Sequence, residues 1–84
     1  MKKLVGTVFL HNKGKSLWYF VNGDRKSGFY IEIQLRGETE ESCTALVDCK
    51  SRNETVMLAK TLLHHKVFPY NLEEIIDERN FRKV

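Results

Sequence analysis

Apolar side chains alternate along residues 29–36 and 42–49 of this chain, and recur at every third or fourth residue from Ser51 onward. That single change of period constrains the fold more than any other feature. A period of two belongs to strands with one buried and one wet face, and a period near 3.6 to amphipathic helices. Strands that all precede helices specify an α+β domain. Residues 29–36 alternate most cleanly: Phe29, Ile31, Ile33 and Leu35 point one way, and Tyr30, Glu32, Gln34 and Arg36 the other. Residues 3–11 and 16–21 read as two earlier strands, rich in Val, Leu, Phe, Trp and Tyr. Residues 42–49 make a fourth, with Cys43, Ala45, Val47 and Cys49 on one side. The turn signals between them are Asn12-Lys13-Gly14-Lys15, then Asn22-Gly23-Asp24 extended as far as Gly28, then the polar residues 37–41.

Beyond the switch, Ser51-Arg52-Asn53-Glu54 is a capping box, and Val56, Ala59, Leu62 and Leu63 follow at helical spacing. His64, His65 and Lys66 end that helix, where positive charge suits the dipole. Pro69 stops it. Asn71-Leu72-Glu73-Glu74 reads as a second cap, with Leu72, Ile75 and Ile76 as the apolar stripe. The 84 residues suffice for one domain, residues 1–84, and a hydrophobic content of 42% argues against disorder. The fold expected is a two-layer α+β domain: a four-stranded antiparallel sheet followed by two helices packed on one face, in the order β-β-β-β-α-α.

Turn lengths suggest registers. Pairing His11 with Ser16 and Phe20 with Phe29 puts Val5, Phe9, Trp18, Phe20, Phe29, Ile31, Ile33, Leu35, Ala45 and Val47 on the face that the helices cover. The opposite face then carries Glu32, Gln34 and Arg36, but also an apolar group: Val8, Leu10, Leu17, Tyr19 and Val21, with Tyr30 and Leu46 nearby. An antiparallel sheet with one wet face should be polar there throughout, so this group is the expected interface. Its simplest use is a homodimer. The alternatives are that residues 81–84 fold back over it, or that the register is off by one and the two faces are exchanged.

No catalytic constellation emerges. Cys43, Cys49, His64 and His65 are the soft-metal ligands, but two sulfurs six residues apart on a strand are separated by about 20 Å. No metal or other cofactor is expected, and the cysteines read as reduced, buried core residues. A Cys49–His64 or Cys49–His65 nucleophile lacks an orienting carboxylate. The glycines punctuate turns and form no phosphate loop. The formal charge of +3 is spread in runs of at most two basic residues, interleaved with acidic ones. That spacing argues against nucleic acid as a partner. Trp18, Phe20 and Tyr30 would make a stacking platform for single-stranded nucleic acid, but Trp18 and Phe20 fall on the face assigned to the core. Met1-Lys2-Lys3 before an apolar stretch imitates a signal peptide without its cleavage site, and no stretch is long enough to span a membrane. A cytoplasmic protein is expected.

From Tyr30 to Glu78 the pattern resembles a small uncharacterised family of clostridia and related Firmicutes. The third and fourth strands carry the likeness, with the capped helix and Val67-Phe68-Pro69-Tyr70-Asn71-Leu72 leading into Ile75-Ile76-Asp77-Glu78. The resemblance implies a bacterial protein and assigns no activity to any residue. Together these readings lead to a non-enzymatic protein-interaction module, with a weak single-stranded nucleic-acid binder as the alternative.

Overall fold

The computed structural model of the protein describes residues 2–11 and 14–82, with side chains as far as Asp77. Four strands, β1 (Lys3–Phe9), β2 (Ser16–Asp24), β3 (Gly28–Arg36) and β4 (Glu41–Val47), precede two helices, α1 (Arg52–His64) and α2 (Pro69–Arg82). The strands form one antiparallel sheet in the order β1-β2-β3-β4. Helix α1 packs on β1, β2 and β3, and α2 on β3 and β4, so both helices cover one face. This is the α+β architecture that the change of period implies.

The register departs from expectation at the β2–β3 turn. Strand β2 does not stop at Val21 but continues through Asn22 and Gly23 to Asp24, which pairs with Gly28. Local chemistry puts the turn there. The Asp24 carboxylate accepts hydrogen bonds from the Lys26 and Ser27 amides and the Ser27 hydroxyl, at 2.8–2.9 Å, an aspartate-capped turn. The Ser27 bonds foremost, with that from Lys26, hold this carboxyl below its usual pKa. Gly23 tolerates the position: its φ is +100°, and a Cβ there would lie 2.0 Å from the Gly28 carbonyl oxygen.

Phe20 therefore pairs with Glu32, three residues on from Phe29, and Trp18 pairs with Gln34. A shift by an odd number exchanges the faces of a strand. Leu17, Tyr19 and Val21 are core residues, at most 1% exposed, whereas Trp18 and Phe20 stand on the outer face. Strand β1 pairs Phe9 with Ser16 and Thr7 with Trp18. A bulge between Leu4 and Gly6 lets Val5 join Val8 and Leu10 against the core. Gly6 lies opposite Tyr19, where a Cβ would come within 2.5 Å of the Leu63 side chain, so its bareness admits α1 to the sheet. Of the seven residues expected on the outer face, Val8, Leu10, Leu17, Tyr19 and Val21 thus belong to the core side. Tyr30 and Leu46 remain outside, directly opposite each other. Phe9, expected in the core, is 78% exposed. Residues 81–84, the segment considered as a cover for the face, lie outside the described side chains.

Ser51 caps α1 through its hydroxyl, which accepts from the Glu54 amide at 3.2 Å, and Glu54 reaches back to the Lys50 amide. At the other end, the Val67 amide donates to the Leu62 carbonyl and the Lys66 amide to the Leu63 carbonyl. This is a Schellman motif, with Lys66 left-handed at φ +53°. Helix α2 begins at Pro69, two residues ahead of the expected cap at Asn71, because proline's fixed φ and missing N–H suit a first turn. Leu72 and Ile76 are buried on the sheet. The corner between the helices is tied to β2 by one buried bond: the Tyr19 hydroxyl donates to the Val67 carbonyl at 2.9 Å.

Two outcomes follow for stability. Replacing Lys66 by Gly removes the left-handed strain and should raise unfolding free energy by up to about 1 kcal/mol in urea titration. Tyr19→Phe should cost about 1–2 kcal/mol by leaving a buried carbonyl unpaired. Burial pushes the Tyr19 phenol up to about 12 from its ordinary 10.0. The folded state keeps that proton longer than the unfolded state does, so the stabilisation is complete below pH 10 and is lost between pH 10 and 12. The wild type should lose more stability than Tyr19→Phe over that interval, measured by denaturation at each pH.

Candidate functional site

The sheet face that the helices leave uncovered is organised around β2 and β3. Trp18 and Phe20, two residues apart, project side by side with ring centroids 6.5 Å apart and planes 18° from parallel. The spacing is that of alternate residues along a strand. The Trp18 indole N–H donates to the Ser16 hydroxyl at 2.8 Å, which fixes the ring.

Beside the rings runs a polar relay on β3, the alternate residues Glu32, Gln34 and Arg36. The Arg36 guanidinium donates to the Gln34 amide oxygen at 2.7 and 3.0 Å, and the Gln34 amide donates to Glu32 at 2.8 Å. Glu32 also accepts from Lys2 at 3.2 Å. Each cation of the relay covers a ring: Arg36 lies 4.0 Å from the Trp18 centroid and the Lys2 ammonium 4.8 Å from that of Phe20. Such contacts are cation–π pairs. Beyond Phe20, Tyr30 continues the aromatic row toward the β2–β3 turn, its hydroxyl 3.4 Å from the Ser27 carbonyl. Leu4, Phe9 and Leu46, respectively 43%, 78% and 57% exposed, stand at the margins.

Folding also redistributes the charge. The register brings Lys2 and Lys3 to the end of the sheet where β2 turns into β3, and β4 leaves from that same end. Lys2, Lys3, Arg25, Lys26, Lys50 and Arg52 are all exposed there, against Asp24, Asp48 and Glu54. Arg52 donates to the Gly23 carbonyl at 3.4 Å, which fixes its place beside the turn. Pairs of basic residues that are far apart in sequence thus share one end of the molecule.

The thiols offer little chemistry. Neither Cys43 nor Cys49 forms a disulfide, and both are half-buried, not fully buried as expected. Cys43 borders an open groove of about 290 Å³ between β4 and the start of α2, with Glu41, Tyr70 and Glu73. Its Sγ lies 3.9 Å from a Glu73 carboxylate oxygen. Burial first, then the Glu73 charge and hydrogen bond, push the thiol up in pKa. A protonated thiol is a poor nucleophile. Among the described residues no three of His, Cys, Asp and Glu gather as a metal site. No helix among them is long and apolar enough to cross a membrane.

The sequence expectation captured Tyr30 and Leu46 of this face but missed Lys2, Phe9, Glu32 and Arg36 as members of a site, and it assigned Trp18 and Phe20 to the wrong side. The usable signal was the alternation of Glu32, Gln34 and Arg36, which marks the outer side of β3; the partner strands could be placed only by the turn. The chain matches no family model, no curated protein and no solved structure.

In a Cys49→Ser background, Cys43 should react slowly with iodoacetamide at pH 7. Glu73→Gln should speed that reaction, because removing the carboxylate lowers the thiol's pKa and raises the thiolate fraction. Stopped-time alkylation followed by mass spectrometry measures both.

Proposed function

We propose that this protein is a non-enzymatic binding module whose docking surface is the outer face of the sheet. One observation carries the reading: Trp18 and Phe20 stand in a row on the face away from both helices. Large aromatic side chains ordinarily go to the core, and grouped on an outer face they mark interaction surfaces. The relay of Arg36, Gln34, Glu32 and Lys2 holds the rings in place, so a partner would meet a preordered surface and lose little entropy in ordering it. The raised Cys43 thiol supports a binding role over a catalytic one. A reducing cytoplasm, as the Firmicutes resemblance implies, suits two cysteines that share no disulfide.

A second reading uses the same face in a homodimer. It is favoured by the exposure of Phe9, Leu4 and Leu46, which would meet their counterparts about a two-fold axis.

The test separates a docking surface from a folding surface. Trp18→Ser with Phe20→Ser should cost at most about 2 kcal/mol, whereas Leu17→Ala on the other side of the same strand should cost about 2–5 kcal/mol. Thermal and urea unfolding of both variants decide the matter. Failure of the double variant to fold would assign the rings to the scaffold and end this proposal. Sedimentation velocity on wild type and Phe9→Ser reads the homodimer directly.

A further inference from the structure

Resting on the reading of the outer face as a docking surface, we infer that its occupant is a single strand of nucleic acid, bound with little preference for sequence. Three features converge. The first is the row of rings. An open four-stranded sheet with aromatic side chains on its central strands is how sheet-based readers stack two or three unpaired bases. Trp18 and Phe20 on β2 and Tyr30 on β3 supply such a row. The 6.5 Å between the first two rings exceeds the roughly 3.4 Å rise of stacked bases in a duplex strand, so bases must be splayed to take one ring each. A single strand can do this and a duplex cannot.

The second feature is the pairing of rings with cations. Arg36 sits over Trp18 and Lys2 over Phe20, so a base that takes the covered face of either half-buried ring must displace the cation, which then stays within reach of the phosphate. Glu32, the carboxylate in the middle of the face, engages Lys2, so the cation left to meet a phosphate is Arg36, whose partner Gln34 is neutral. The third feature is the basic end. The row runs from Trp18 through Phe20 and Tyr30 toward the β2–β3 turn, where Arg25 and Lys26 stand exposed with Lys2 and Lys3 alongside. The opposite end carries Glu38, Glu40 and Glu41 at the β3–β4 turn, which outnumber Lys15 and Arg36 among the described residues there. A polyanion is therefore drawn to one end of the aromatic row, and the binding path has a direction. The spread of charge that argued against nucleic acid holds in sequence order only, and the burial expected for Trp18 and Phe20 followed from a register that the fold does not adopt.

The experiment is a titration of the full chain with fluorescein-labelled ten-nucleotide single-stranded RNA and DNA and with a duplex of the same length. It is read by anisotropy at several salt concentrations and by quenching of Trp18, the one tryptophan. Single strands should bind in the micromolar range at low salt and quench Trp18, and the duplex should bind at least tenfold more weakly. Phe20→Leu, which keeps an apolar side chain but removes the π face, should weaken binding about tenfold. Arg25→Glu with Lys26→Glu should weaken it further and flatten the salt dependence by about 0.7 in log–log slope for each phosphate no longer neutralised. Equal affinity for duplex and single strand, an unaltered affinity of Phe20→Leu, or no binding at low salt would each overturn the inference. Should wild type instead sediment as a dimer that Phe9→Ser dissociates, with no oligonucleotide bound, nucleic acid is excluded and the docking surface stands. Should Trp18→Ser with Phe20→Ser fail to fold, the docking surface itself falls.

Discussion

Everything in this molecule depends on where β2 stops. Three hydrogen bonds onto one aspartate carboxylate fix a short turn after Asp24. The turn fixes the pairing of β2 with β3, and the pairing fixes which side of β2 meets the helices. Leu17, Tyr19 and Val21 go in; Trp18 and Phe20 stay out. A local interaction at the surface, made by a side chain that buries nothing, thus settles the composition of the core. The reason is geometric: strand side chains alternate, so pairing is a choice between two faces, and turn chemistry sets the register.

Strand β2 consequently divides two tasks between its sides. Inward, Tyr19 anchors the Schellman corner through the Val67 carbonyl, and Leu17 and Val21 pack around it. Outward, Trp18 and Phe20 are held by Ser16, Arg36 and Lys2, groups that make no part of the hydrophobic core. The two sides share a backbone but few contacts.

Most of the architecture was legible in the residues. The change of period at Ser51, the alternation of β3 and the Ser51 cap were each sufficient for their element, because each signal is local. The sides of β2 were not legible, since Leu17 to Val21 are apolar at every position and alternation carries no information there. Only the turn could decide, and Asn22-Gly23, ordinarily a strong hairpin signal, competes with Asp24 beside it. Gly23 serves instead as a left-handed residue inside the strand end. The start of α2 was obscured for a related reason: Pro69 is equally fitted to end one helix and to be the first residue of the next. The clustering of cations was invisible for a third reason, as it arises from register and not from sequence neighbours.

The bulge at Val5 has a consequence for assembly. A four-stranded open sheet offers two unpaired ladders, along β1 and β4. The bulge interrupts the first, and Lys2 and Lys3 crowd its beginning, so it is a poor template for another strand. The seven residues of β4 have no bulge, proline or lysine. A molecule with one competent edge can add a single neighbour and then has no edge left to offer. Strand addition in this fold is therefore favoured along β4 and disfavoured where the bulge and the lysines stand on β1.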